Sequence, residues 1–230
     1  MEILNNLWLA VSTPNEELTS LMMIPITFLE NFLIMYLFIS ILNIESTKRQ
    51  KYIYVALMSI VAFITTYLLT NPFNVFFNYF MMIALIYIVF KLSMLKSIIA
   101  AVSSVAVFSL VGFLVLSPYL TLFNLSSEQL MITPVYRFGY LCIMYLLVLI
   151  LILFLKNKNL KLNILDDIDK KNKYIIFVNF ALGILALIVQ SFITFYYLDK
   201  LPISMTFLSF VLLLAYFSIC LLYTSDAADD

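Results

Sequence analysis

The chain has 230 residues, of which 64% are hydrophobic and only 11% are charged, and its mean hydropathy is +1.08. A soluble domain is about 45–50% apolar and about 25% charged, so the composition excludes a soluble globular protein and predicts an all-α, polytopic bundle of transmembrane helices. The formal net charge of zero says nothing about nucleic-acid or acidic partners, because in a membrane protein the informative quantity is how charge is divided between the two sides. We predict no nucleic-acid partner.

Several residue types that carry chemistry are scarce or missing. The sequence has no histidine and only three glycines. Histidine-dependent nucleophiles, zinc-protease motifs and a phosphoaccepting histidine are therefore absent from it, as are the P-loop and the dinucleotide-binding turn. The two cysteines, Cys142 and Cys220, give no disulfide framework or metal spacing. We therefore predict that this chain is not itself an enzyme and holds no cofactor or metal.

Residues 1–20 are predicted to form an extracellular or interfacial segment. They contain three glutamates and no basic residue, and Trp8 is suited to the membrane interface. A secretory signal peptide is not predicted, because such a peptide begins with a basic region followed at once by an apolar core. Here the first long apolar run begins only at Leu21.

Seven apolar runs predict seven transmembrane helices, since each is long enough to cross roughly 30 Å of hydrocarbon. The longest connection on the predicted outer side, residues 117–137, contains Pro118, Pro134 and several serines, which predict a structured loop lying against the membrane rather than a continuing helix. The predicted spans are residues 21–42, 52–69, 73–90, 98–116, 138–155, 174–197 and 203–219.

The basic residues predict how these helices are oriented. Basic loops of membrane proteins stay in the cytoplasm. With seven spans, Arg137 and Lys200 fall on one side and the other eleven basic residues on the opposite side, which places the N-terminus outside and the end of the seventh span inside. We therefore predict a multi-pass protein of the cell membrane with the lipid bilayer as its surroundings. The eleven residues are Lys48, Arg49, Lys51, Lys91, Lys96, Lys156, Lys158, Lys161, Lys170, Lys171 and Lys173.

The last eleven residues, Cys220 to Asp230, read CLLYTSDAADD. This string resembles a sequencing adapter translated in one frame, and such segments are excluded from reasoning about the fold. The resemblance implies that the natural sequence is represented only as far as Ile219 and is interrupted within the seventh span. The alternative is a natural, solvated acidic C-terminus.

Glu30 is the sharpest functional candidate, because it lies nine residues into a run that otherwise has no charge. A carboxylate in mid-bilayer costs several kcal/mol unless it is paired, hydrated or protonated, so such residues often mark a functional site. Two interpretations stay open with about equal weight. Glu30 either belongs to a ligand, ion or proton site, or is a protonated side chain hydrogen-bonded to another helix.

Three further polar residues are candidates for signal binding or for coupling between helices. Arg137 begins the fifth span on the predicted outer side and is the basic residue best placed to meet an anionic group, although an interfacial arginine that only snorkels is the more common case. Asn78 and Gln190 lie within spans, where hydrogen bonds between helices are a more common role than ligand binding.

The stretch PITFLENFLIMYLF, residues 25–38, is followed by a short basic link and a succession of spans with small loops. This arrangement resembles the membrane sensor region of histidine kinases of the peptide-quorum-sensing (GHKL) type. The resemblance implies a bundle that detects an extracellular signal, such as a peptide, and passes a conformational change to a cytoplasmic kinase domain. It also implies a homodimer. The kinase histidine and the ATP-binding motifs are missing here, and in that family both follow the last span.

A small secondary transporter or permease subunit is the alternative, with Glu30 as the ion-coupling residue. The spans show no inverted repeat, no pair of helices broken by glycine and few polar residues that could form a pathway, so we rank it second. A membrane enzyme ranks third, because the sequence has no histidine and the predicted spans contain no paired carboxylates.

Overall fold

The computed structural model describes residues 8–69 and 73–158, and every regular element in those ranges is a helix. Residues 8–12 form a short helical segment. The elements that follow are α1 Glu16–Leu42, α2 Lys48–Leu68, α3 Phe73–Phe90, α4 Met94–Phe123, α5 Ser127–Ile132 and α6 Pro134–Lys158.

Five of these helices, α1, α2, α3, α4 and α6, are long and apolar enough to cross a membrane. The prediction of an all-α protein with several membrane-spanning helices is confirmed for the described part of the chain, and the first five predicted spans each fall on one of these five helices. The sixth and seventh predicted spans, at 174–197 and 203–219, lie outside the described residues, as does Gln190. The count of seven and the orientation of the termini therefore stay predictions.

Short polar residues set the ends of these helices. The Asn15 side chain accepts a hydrogen bond from the Leu18 N–H at 2.9 Å, which starts α1 five residues before the apolar run begins. Thr47 and Gln50 form a capping box at the start of α2. Asn43, after α1, and Asn124, after α4, take the left-handed conformation that ends a helix and that asparagine tolerates.

The predicted end of the fourth span was wrong as a helix boundary, because α4 continues through Pro118 as far as Phe123. Proline removes one backbone hydrogen bond of a helix, so it predicts a helix end in the sequence. Packing can offset the energetic cost of that lost bond. Beyond Pro118, the buried side chains of Tyr119 and Leu120 form a small core with Leu130 of α5. The non-helical part of the connection is thereby reduced to a few residues on either side of α5.

Helix α1 lies at the centre of the described bundle, in contact with α2, α4, α5 and α6. Its two sides belong to different hydrophobic cores. Met35 and Phe38 pack with side chains of α2, α3 and α4, whereas Leu33 and Leu37 pack with side chains of α4 and α6. A polar residue in the middle of α1 can therefore contact either half of the bundle, depending on its position around the helix axis.

Candidate functional site

Glu30 and Asn31 are adjacent in the middle of α1 but interact with different neighbours. Successive residues of a helix point about 100° apart. Glu30 lies one and two turns before Leu33 and Leu37, on the side of α1 that packs against α6. Asn31 is buried on the other side and donates a hydrogen bond from its amide nitrogen to the Ser59 hydroxyl of α2 at 3.1 Å. Two consecutive residues of α1 thus connect it to two different helices.

The carboxylate of Glu30 lies within electrostatic range of three polar side chains of α6: Arg137, Tyr140 and Tyr145. Glu30 and Arg137 are both partly buried, and Tyr145 is only 7% exposed. The structure therefore brings together two of the residues singled out in the sequence, Glu30 and Arg137, although 107 positions separate them. We call these four residues the Glu30 cluster.

Arg137 also connects the Glu30 cluster to α5. Its Nη1 atom donates a hydrogen bond to the carbonyl oxygen of Met131 at 3.1 Å. The next carbonyl, that of Ile132, accepts hydrogen bonds from the Asn15 N–H at 2.9 Å and from the Thr19 hydroxyl at 3.0 Å. The last turn of α5 is therefore hydrogen-bonded both to the start of α1 and to the guanidinium of Arg137.

Two tyrosine hydroxyls join α4 to α6 next to the cluster. Tyr140 donates to the carbonyl oxygen of Gly112 at 3.2 Å, and Tyr119 donates to the carbonyl oxygen of Tyr136 at 3.0 Å. A methyl group at Gly139 would lie only 2.6 Å from the Tyr119 hydroxyl oxygen. The absence of a side chain at Gly139 is what allows α4 and α6 to approach so closely.

Asn78 lies in α3 and is not part of this cluster. Its Oδ1 atom accepts a hydrogen bond from the Thr65 hydroxyl of α2 at 2.9 Å, and the Thr65 side chain is 2% exposed. Asn78 therefore links α2 to α3 on the far side of the bundle from α6.

Sequence reasoning missed Tyr145. The signal that could have found it is spacing, because positions three and eight residues after Arg137 fall on the same side of a helix. That signal is masked in α6, where the positions on all sides are predominantly apolar and a tyrosine does not stand out. The site could not have been assembled without knowing which side of α6 faces α1.

The described arrangement offers one carboxylate, one guanidinium and two phenolic hydroxyls inside the bundle. Among the described residues, no three histidine, cysteine, aspartate or glutamate side chains lie close enough to hold a metal ion. A guanidinium near a carboxylate offsets the cost of keeping that carboxylate away from water, and the offset depends on their separation. The electrostatic energy of the Glu30 cluster therefore depends on the position of α1 relative to α6.

The described fold and this site define the class of the protein, an all-helical protein with several membrane-length helices and a cluster of ionisable side chains on two facing helices. Comparisons of the chain with models of known protein families, with curated proteins and with solved structures found no match.

Proposed function

We propose that this chain is the membrane-embedded signal-sensing region of a two-component sensor histidine kinase and that it detects an extracellular signal such as a peptide. The observation that supports a sensing role is the series of contacts from the surface to the bundle interior. The α5 carbonyl of Met131 is bonded to Arg137, and Arg137 lies within electrostatic range of Glu30. The kinase identity rests on the resemblance of residues 25–38 and of the order of spans.

In this proposal the signal binds at the connection between α4 and α6, where α5 is exposed on one side. A shift of α5 moves the Met131 carbonyl and with it the guanidinium of Arg137. An increase in the distance between Arg137 and Glu30 leaves the carboxylate less well compensated inside the membrane, and complete loss of this compensation costs on the order of several kcal/mol. Helix α1 then moves relative to α6 to recover that energy, and the movement reaches the opposite ends of both helices.

The alternative function, a secondary transporter, is favoured by one observation. Glu30 lies in the middle of a membrane-length helix, and an ionisable residue within a span is a common coupling site. In that case Arg137 and Tyr145 would stabilise Glu30 in its empty, negatively charged state.

The substitution Glu30→Gln separates the two functions, because it removes the charge and keeps the size of the side chain. The matched control is Glu17→Gln, an exposed glutamate in the first turn of α1. Both variants are made in the chromosomal gene, and the transcript response of the cells to their own conditioned medium is measured beside proton- or sodium-driven uptake. We expect Glu30→Gln to alter the transcript response and Glu17→Gln to leave it unchanged. Loss of ion-driven uptake without a change in that response would favour the transporter.

The kinase part of the proposal has a separate test. Long reads prepared without the suspected adapter are used to sequence the gene through the codon for Ile219. We expect the frame to continue into a helix with a phosphoaccepting histidine and then into an ATP-binding domain. A stop codon within a few positions of Ile219 would rule out the kinase and leave a sensing role for Glu30 to be judged by the transcript response alone.

A further inference from the structure

The carbonyl oxygen of Ile132, at the end of α5, accepts hydrogen bonds from two donors at the start of α1. The Asn15 N–H lies 2.9 Å from it and the Thr19 hydroxyl 3.0 Å. The last carbonyls of a helix have no partner within that helix, so this oxygen can attach α5 to a second element. Helix α5 has only six residues, too few to be stable alone, and its position therefore depends on contacts of this kind.

The Thr19 hydroxyl faces two acceptors but carries one hydrogen. Besides the Ile132 carbonyl, its oxygen lies 2.7 Å from the carbonyl oxygen of Asn15, one turn earlier on the chain. A hydroxyl has a single O–H to donate. The hydrogen can therefore point at α5 or back at α1, and it is hydrogen-bonded in either position. The Thr19 side chain is 3% exposed, so bulk water has little access to this donor.

The second acceptor lowers the cost of detaching α5 from α1. A buried donor that loses its only acceptor is strongly penalised. Thr19 avoids that penalty, because its hydroxyl keeps the Asn15 carbonyl when Ile132 moves away. The Thr27 hydroxyl, about two turns further along α1, bonds at 2.8 Å to the carbonyl oxygen of Met23 in its own helix and to no other described element. Thr27 therefore offers a matched comparison without a link to α5.

We propose that the hydrogen bond from Thr19 to Ile132 is a latch, which holds α5 against α1 in the absence of a signal and opens when a signal shifts α5. This inference rests on the proposed sensing function, in which movement of α5 displaces the guanidinium of Arg137 relative to Glu30. Thr19 acts through α5 and is therefore a positioning residue. Its two acceptors allow the latch to open without leaving a buried hydroxyl unpaired.

Opening of the latch has a direct signature in the backbone. When α5 detaches, the Thr19 hydroxyl donates to the Asn15 carbonyl alone, and the Asn15 N–H loses its acceptor on Ile132. A backbone amide exchanges its hydrogen with solvent when local opening removes its hydrogen bond. The exchange rate of the Asn15 amide therefore reports how often α5 detaches, and it does so without knowledge of the signal.

The test is hydrogen–deuterium exchange of the purified full chain in detergent micelles, read by mass spectrometry. Peptides that contain Asn15 or residues 126–132 are followed, and peptides of α3 serve as the reference for general unfolding. Thr19→Val keeps the shape of the side chain and removes its hydroxyl, Thr19→Ser keeps the hydroxyl, and Thr27→Val is the matched control. The same variants are made in the chromosomal gene, and the amount of conditioned medium that gives a half-maximal transcript response is measured.

We expect Thr19→Val to raise exchange at Asn15 and in α5, relative to α3, by about two- to tenfold, the range for one hydrogen bond. The half-maximal amount of conditioned medium should fall by a similar factor. Thr19→Ser should restore both values, and Thr27→Val should leave both nearly unchanged.

Unchanged exchange at Asn15 in Thr19→Val would overturn the latch, and so would an equal increase in Thr27→Val. Faster exchange in Thr19→Val with an unchanged transcript response would support the latch and count against the proposed sensing function. The two failures are thereby distinguishable, because exchange is measured on the protein itself and the transcript response on the cell.

Discussion

The Asn31 amide of α1 donates a hydrogen bond to the Ser59 hydroxyl of α2 over 3.1 Å, and both side chains are buried. Asn31 directly follows Glu30, whose electrostatic partners among the described residues lie on α6. Any rotation of α1 that changes the surroundings of Glu30 therefore also changes the geometry of this hydrogen bond. The bond to Ser59 sets a limit on how far α1 can turn without a compensating movement of α2.

A double-mutant cycle measures the strength of that connection. Asn31→Leu and Ser59→Ala each remove one partner, and the double variant removes both. Hydrogen bonds between membrane helices have coupling energies that average about 0.6 kcal/mol and reach about 1.7 kcal/mol. We expect a value in this range from reversible unfolding in mixed detergent micelles. Strict additivity of the two single changes would show that the bond contributes nothing to stability.

Gly139 is predicted to be intolerant of even the smallest side chain. In Gly139→Ala the added methyl group would lie 2.6 Å from the Tyr119 hydroxyl oxygen, and the rigid, buried ring of Tyr119 can move away only by giving up its bond to Tyr136. Overpacking of this kind typically destabilises by about 1–3 kcal/mol. The second change Tyr119→Phe removes the offending oxygen and should recover part of the loss. Unfolding of the single and double variants tests both statements.

Gly112 supplies the comparison for that experiment. A methyl group there would lie 3.3 Å from the Tyr140 hydroxyl and 3.4 Å from the Met144 sulfur. A methionine side chain adapts easily to small changes, so Gly112→Ala should cost less than Gly139→Ala. The reverse order would contradict the packing of α4 against α6 described above.

Two adjacent threonines of α2 provide a matched test of the contact with α3. Both hydroxyls bond to the carbonyl oxygen of Ala62, but only Thr65 also bonds to Asn78. Valine keeps the shape of threonine and removes the hydroxyl. We expect Thr65→Val to destabilise by about 0.5–1.5 kcal/mol and Thr66→Val, at an exposed position, to have little effect. Equal effects in unfolding measurements would exclude a role for the Asn78 contact.

Replacing Tyr54 with phenylalanine is predicted to stabilise the protein. Its side chain is fully buried between Phe38 and Phe90, and its hydroxyl has no hydrogen-bond partner among the described residues. A buried, unpaired polar group costs about 1–3 kcal/mol, so Tyr54→Phe should raise the free energy of unfolding. The control Tyr52→Phe, at a position that is 69% exposed, should leave it nearly unchanged. A destabilised Tyr54→Phe variant would reveal a partner for this hydroxyl.

The sequence predicted the positions of the five described membrane-length helices because long apolar runs are a local property. A window of about 20 residues is sufficient to recognise a segment that can cross a bilayer. The ends of these helices were predicted less well, since Asn15 begins α1 before the apolar run and α4 passes through Pro118. Capping and packing decide those positions, and both act beyond the apolar window.

The sequence by itself also identified Glu30 as a candidate functional residue, because a single carboxylate in an apolar run is visible without a structure. Its partners were decided by the tertiary structure alone. Arg137 and Tyr145 lie more than a hundred positions away on α6, a helix with predominantly apolar positions on all sides and hence no visible polar face. The close contact between α6 and α4, at Gly112 and Gly139, sets which side of α6 faces α1. This is a relation between helices, and no local sequence pattern contains it.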